Sequence, residues 1–197
     1  MTLFWMCARC VVLLTELEMK TLIVNFSFTG NNLMLAQEMK KRLNCAILQV
    51  KERGKRTSFK IFTDNLFQRS PGIFYDQVNL NSFEHIVFIA PVWLGKIASP
   101  LKSFIRKEKG NISQYSFLSV CGGEQGQHLK LEQQLTSIAG KNPTRVSELQ
   151  IRDLLSHDQK SKAAAVASYR LHSKDLEFFA NKIDEHVLSL KIPKVVG

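Results

Sequence analysis

Three strand-like runs in this chain each break, at the carboxyl end, into a short loop that opens a helical pattern. That repeated order constrains the fold more than any other feature. Thr21 to Val24 leads into a loop of hydroxyls and amides ending at Asn32, after which Leu33, Ala36, Met39 and Leu43 recur at helical spacing. His85 to Ala90 (HIVFIA) is a continuous apolar run, as expected of a strand buried on both faces of a parallel sheet. It ends in Pro91-Val92-Trp93-Leu94-Gly95-Lys96-Ile97-Ala98-Ser99-Pro100 and the amphipathic stretch Leu101 to Lys109. Ser99 is expected to be the N-cap of that helix, with Pro100 at its first position. Tyr115 to Cys121 (YSFLSVC) opens into Gly122-Gly123-Glu124-Gln125-Gly126-Gln127, with a helix expected from about His128 to Ile138.

The remaining elements fit the same alternation. Cys45 to Val50 reads as a second strand and Thr144 to Ile151 as an edge strand. Lys174 to Leu190 reads as a closing helix, with Phe178, Phe179, Ile183, Val187 and Leu190 toward the sheet. Ser58 to Gln68 has near-helical spacing of Phe59, Phe62, Leu66 and Phe67. Arg69 to Ser82 is expected to be loop, with a turn at Ser70-Pro71-Gly72, and Arg152 to Lys162 a solvated connection. Alternating strands and helices predict an open parallel sheet covered on both faces, an α/β three-layer sandwich. A chain of 197 residues is expected to form one such domain over residues 19–197.

Chemistry concentrates in the first loop. A strand, a polar loop and a helix start aim backbone N–H groups and the positive helix end at one point, a ready anion site. Ser27, Thr29, Asn31 and Asn32 offer further donors, and Gly30 lets the backbone turn closely. The loop lacks the Gly-Lys-Ser/Thr ending of a triphosphate loop and the three glycines of the dinucleotide fingerprint. Neutral donors suit a single terminal phosphate.

Ser27-Phe28-Thr29-Gly30-Asn31 resembles the phosphate loop of the flavodoxin-like family, Ser/Thr-x-Thr-Gly-Asn-Thr, with Asn32 in place of the final Thr. Pro91-Val92-Trp93-Leu94-Gly95 is similar to the family's flavin-lining segment, and Gly122 and Gly123 to the glycines of its third loop. The resemblance covers roughly residues 20–140 by motif and the remainder by element order. It implies a five-stranded parallel sheet in the order 2-1-3-4-5, with the ligand at the switch between strands 1 and 3. It implies flavin mononucleotide (FMN) as cofactor, with the phosphate on Ser27, Phe28, Thr29, Gly30, Asn31 and Asn32. Trp93 would stack on or edge the isoalloxazine, bordered by Pro91, Val92, Leu94 and Gly95. Cys121, Gly122, Gly123 and Gly126 would pass along its pyrimidine edge.

On that resemblance the chain would be an oxidoreductase taking a hydride from NAD(P)H and passing electrons to a quinone or similar small acceptor. The alternative is a flavodoxin-type carrier that depends on a partner reductase, and a third reading keeps the fold with the ligand lost or changed. Gly122 to Gln127 holds no aromatic to cover the outer flavin face, which favours a reductase open to flat substrates. Related reductases often dimerise to complete their sites. No catalytic acid is evident; His128, at a helix start, is within reach of the third loop, though a solvent-facing role is expected. His85, His157, His172 and His186 show no ligand spacing, and no metal site is expected.

The net charge is +10, with an isoelectric point near 9.6. Carrier flavodoxins are typically acidic, whereas a positive rim would attract the phosphates of NAD(P)H. Neither a basic stripe with interleaved aromatics nor a known module points to nucleic acid. Met1 to Leu14 is apolar but too short to span a bilayer, and Arg9 interrupts it. We expect residues 1–18 to be an extension, or translation to begin at Met19. Cys7 and Cys10 lie in that leader with no second pair to complete a zinc site. Cys45 and Cys121 read as small core residues, and four cysteines without a framework suggest a reducing cytoplasm.

Overall fold

The computed structural model describes residues 19–53, 71–123 and 127–191. Five strands form one parallel sheet: β1 (Thr21–Asn25), β2 (Ala46–Gln49), β3 (His85–Ile89), β4 (Gln114–Cys121) and β5 (Val146–Gln150), in the order β2-β1-β3-β4-β5. Every pairing is parallel, with Leu22 beside Ala46 and Ile86, Ile89 beside Leu118, and Leu118 beside Ser147. β1 and β3 are buried along their whole length. This matches their unbroken apolar sequence, because a central parallel strand has no solvent face.

The major helices are α1 (Asn31–Leu43), α2 (Ser99–Glu108) and α3 (Gln127–Ala139). Beyond β5 come three short helices, α4 (His157–Lys160), α5 (Ala163–Ser168) and α6 (Ser173–Phe178), and then α7 (Ala180–Lys191). Two apolar clusters result, one on each side of the sheet. Leu101, Phe104, Ile105, Leu131 and Leu135 of α2 and α3 pack with Val24, Phe88 and Phe117. Leu35, Ala36 and Met39 of α1 pack with Ile183 and Val187 of α7 and with Ile23, Val87 and Leu118.

The structure corrects several details. Ala98 caps α2, since its carbonyl accepts from Lys102 N–H at 3.1 Å, and Ser99 is the first helical residue. The closing helix is interrupted at Phe179 (φ −89°, ψ 5°), yet the buried positions Leu176, Phe179, Ile183, Val187 and Leu190 keep helical spacing across the break. Phe179 takes the core position and Phe178 turns outward, 62% exposed. Arg152 to Lys162 is not simply loop, for it contains a 3-10 turn at Ile151–Leu154 and α4. Ile73–Phe74 pairs antiparallel with Lys51–Glu52, in a stretch expected to be loop. The expectations for residues 1–18, for Ser58 to Gln68 and for Gly126 lie outside the described residues.

Candidate functional site: a crevice at the carboxyl ends of β1, β3 and β4

Parallel strands followed by helices bring the three loops to the same end of the sheet, and the crevice opens where β1 and β3 run outward to opposite sides. Three asparagines build its floor. Asn25, at the end of β1, donates from Nδ2 to the carbonyls of Asn32 and Ile89, both at 3.0 Å. Asn32 donates to Val120 O and accepts from Val120 N–H, each at 3.0 Å. β3 pairs with β4 only as far as Ile89 beside Leu118. Two residues further on, the Asn32 amide therefore substitutes for a missing strand neighbour. The amide meets the two groups with separate atoms, Nδ2 as donor and Oδ1 as acceptor, which gives Asn32 a structural reason of its own. Asn31 donates to Tyr169 O at 3.0 Å and accepts from Leu171 N–H at 3.1 Å.

The side chains of Asn31 and Asn32, expected to offer donors to a ligand, are thus committed to backbone partners. Their main-chain N–H groups are a separate matter. The first intrahelical bond of α1 runs from Met34 N–H to Gly30 O, so the N–H groups of Asn31, Asn32 and Leu33 precede it. α1 has no side-chain cap and no acidic residue in its first turn. Gly30 caps it at φ +94°, and a Cβ built there would meet nothing within 4 Å. The Ser27 hydroxyl accepts from Gly30 N–H at 3.2 Å, and Thr29 sits beside it, half-buried. The outcome is an open cradle of neutral donors over a positive helix end whose first turn carries no acidic residue.

Trp93 stands at the second loop. Val92–Trp93 and Lys96–Ile97 form a minimal hairpin, turned by Leu94 (φ 50°) and Gly95 (φ 68°). Two successive left-handed residues make the tight turn that matches strand twist. The hairpin is fastened to α3 through Gln134, which donates to Gly95 O at 2.9 Å and accepts from Ile97 N–H at 3.3 Å. Phe26 and Phe28 of the first loop meet the indole edge-on, with ring centroids 6.1 and 6.0 Å away. Pro91 and Trp93 are half-buried, Val92 is buried, and Phe28 and Leu94 are exposed at the rim.

In the third loop, Cys121 is buried, with Gln127 donating to its sulfur at 3.4 Å. Burial and then the nearby Glu148 carboxylate push the thiol up to about 12, so it is an inert core group. Gln127 also bonds Glu148, whose other oxygen lies 3.4 Å from His128 Nδ1. His128 Nε2 is 3.4 Å from Glu132, so this half-exposed ring is bracketed by carboxylates rather than aimed at the crevice. Gly122 and Gly123 have packing reasons of their own. A Cβ on Gly122 would come within 3.1 Å of Val166, and one on Gly123 within 2.7 Å of Gln150 Oε1.

The connection bearing Val166, Tyr169 and Leu171 thus latches onto both the first and third loops. No role for it was evident from the sequence; the available signal was the apolar run Ala163 to Ala167 with Tyr169 and Leu171 just beyond it. Among the described residues there is no cluster of three metal-ligating side chains, and no helix long and apolar enough to cross a membrane.

The sheet order, the covered faces and the crevice at the strand-order switch define the flavodoxin-like fold. Solved structures agree. A flavoprotein of Lactobacillus acidophilus in complex with FMN superposes with a TM-score of 0.59 at 21% identity, covering 66% of this chain and 93% of that one. Its apo-form, solved by NMR, gives 0.56 at 20% identity over 66% and 91%. A protein of Bacteroides uniformis, provisionally described as a flavoprotein, gives 0.55 at 16% over 67% and 90%. No protein-family model and no curated protein matches the chain.

Proposed function

We propose that this protein is an FMN-dependent oxidoreductase that passes electrons from NAD(P)H to a quinone or similar small acceptor. The observation that carries the reading is the cradle at Ser27 to Asn32. It offers neutral donors, main-chain N–H groups ahead of the first intrahelical bond of α1, and open space over Gly30, a donor set that fits a terminal phosphate. The solved relative with FMN bound supports the same cofactor.

FMN supplies the hydride and single-electron chemistry when bound. This chain's residues hold and orient it. The hydroxyls of Ser27 and Thr29, with the N–H groups of the first α1 turn, would take the phosphate. Trp93, braced edge-on by Phe26 and Phe28, offers a rigid aromatic wall beside the ring. Val166 and Gln150 pack against Gly122 and Gly123 where a Cβ would stand, and the backbone there would line the ring's other edge. The first turn of α1 carries no acidic residue, and the Cys121 thiol is held protonated by burial.

Exposed Phe28 and Leu94 beside Trp93 favour a second reading, in which a partner protein docks at that rim and the molecule is an electron carrier. Spectroscopy comes first. Protein reconstituted with FMN and desalted should retain oxidised-flavin bands, and Thr29→Glu, which places a carboxylate in the cradle, should lose them while keeping its circular dichroism. NAD(P)H oxidation with a quinone and no other protein separates enzyme from carrier. A wild-type protein that holds no flavin would remove both readings.

A further inference from the structure

Arg170 is held at the amino end of α1 by its two neighbours. It lies between α5 and α6, and the side chain of Asn31, the first residue of α1, bonds the peptide group on either side of it. Asn31 Nδ2 donates to Tyr169 O at 3.0 Å, and Leu171 N–H donates to Asn31 Oδ1 at 3.1 Å. One amide therefore fixes the backbone of Arg170 against the residue whose own main-chain N–H belongs to the cradle. Arg170 Nη1 donates to Ser168 O at 2.9 Å, to Tyr169 O at 3.1 Å and, at 3.5 Å, to Ala167 O. Tyr169 O is the acceptor for Asn31 as well, so the guanidinium stands beside the Asn31 amide.

The charge of this arginine is not neutralised within the protein. Arg170 is exposed, its Nε and Nη2 have no partner, and no carboxylate pairs with it among the described residues. Asp175, the nearest acidic residue along the chain, is engaged instead by the Tyr169 hydroxyl at 3.1 Å and by His172 N–H at 2.8 Å. A cation beside the amino end of a helix faces the positive end of its dipole, an unfavourable pairing that an anion within reach of both relieves. Capping the α5 carbonyls occupies Nη1 alone and leaves the rest of the planar fork able to turn to a phosphate.

We infer that Arg170 is a specificity residue for the cofactor's phosphate, a cation that the connection after β5 brings to the neutral cradle of the first loop. The inference rests on the FMN reading above and adds to it what distinguishes FMN from its dephosphorylated form, riboflavin. Ser27, Thr29 and the N–H groups of the first α1 turn orient the phosphate at short range. Arg170 sets how strongly the negative charge is drawn in, because a charged donor holds a phosphate oxygen more strongly than a neutral one. It has no part in holding the isoalloxazine, which both flavins share.

The two flavins are the probes, each titrated into the full chain and followed by its fluorescence. Arg170→Gln should weaken FMN binding about tenfold and leave riboflavin binding unchanged. FMN affinity should fall with added salt in the wild type, and less steeply in that variant. Arg170→Lys keeps the charge and should recover most of the preference for FMN over riboflavin. Lys160→Gln removes one exposed charge from α4 and should alter neither affinity. Equal weakening of both flavins in Arg170→Gln would reduce the arginine to a cap on α5 and overturn the inference. Unchanged FMN binding would do the same. Should Arg170→Gln fail to fold, Arg170→Lys decides: retained preference for FMN supports the role, and equal loss of both flavins overturns it. A wild-type protein that holds neither flavin removes the FMN reading and this inference together, whereas FMN held as tightly without Arg170 removes the inference alone.

Discussion

His85 and His186 share one hydroxyl. The Nε2 atoms of both rings lie 3.0 Å from Ser116 Oγ, at the end of the sheet opposite the crevice. His186 Nδ1 is 2.8 Å from Ser147 Oγ, which in turn accepts from Arg145 Nε at 3.2 Å. With Arg145 donating to Ser147, an assignment in which each hydroxyl also donates once runs in one direction along the chain. Ser147 donates to His186 Nδ1, His186 Nε2–H donates to Ser116, and Ser116 donates to His85 Nε2. That chain requires both imidazoles to be neutral.

Acid should therefore break this core. Burial lowers His85 to about 4 and, with the charges of Arg145 and His85, lowers His186 to about 3. Folded values below the unfolded one mean that the unfolded chain binds more protons at low pH. The stabilisation is complete above about pH 6.5 and is lost as pH falls toward 4. The first protonation costs on the order of 3 kcal/mol by pH 4. Urea unfolding at pH 7, 5.5 and 4 should show that decline, and His186→Gln should flatten it. A parallel pH dependence in the variant would count against the network as its source.

Ser116→Ala tests the same chain at neutral pH. It strands a nitrogen of each histidine in a site that water does not reach, and should cost about 2–4 kcal/mol. The loss should shrink in a Ser116→Ala, His85→Phe pair relative to the sum of the single changes, which a double-mutant cycle in urea would read.

At the other end of the sheet, Asn32 extends the β4 ladder past the last residue of β3. Asn32→Leu preserves volume but leaves the N–H and C=O of Val120 without partners, so it should destabilise by about 2–5 kcal/mol. Hydrogen exchange should quicken at Val120 specifically, and an unchanged rate there would refute the role given to the amide.

Two glycines should separate fold from site. Gly123→Ala places a methyl 2.8 Å from Gln150 Cδ and 2.9 Å from its Cβ, at φ +77°, and should lower stability by about 1–3 kcal/mol. Gly30→Ala meets no neighbour and bears only the left-handed backbone cost, about 1–2 kcal/mol. Its methyl nevertheless enters the cradle, so it should weaken flavin retention more than its effect on melting temperature would suggest. Retention and melting curves for the two variants should therefore rank in opposite orders.

These sites show what the sequence made legible and what it did not. Element order, the buried runs Thr21 to Val24 and His85 to Ala90, and the three loops were readable because each depends on local periodicity and turn chemistry. The commitments of Asn31 and Asn32 were not, since their partners lie far along the chain at Tyr169, Leu171 and Val120. His85 and His186 looked unrelated for the same reason, because only packing of α7 on the sheet joins them. Phe178 and Phe179 were both assigned to the sheet face because both are large and apolar, whereas the buried positions Leu176, Phe179, Ile183, Val187 and Leu190 leave Phe178 just off that face.

Leu94 offers a last test, in which stability and activity should diverge. It occupies the left-handed region at φ 50°, where a side chain branching at Cγ gains nothing, and it is 69% exposed. Asparagine tolerates that conformation and forms the favoured Asn-Gly pair with Gly95. Leu94→Asn should therefore stabilise the protein by about 1 kcal/mol, because it relieves backbone cost and gives up little packing. A strained apolar residue kept beside Trp93 implies that the rim uses its surface. The variant should melt higher yet raise the KM for a quinone acceptor, or slow electron transfer to a docking protein if the molecule is a carrier. A rise in melting temperature with both rates unchanged would show that Leu94 has no part in the chemistry of the crevice.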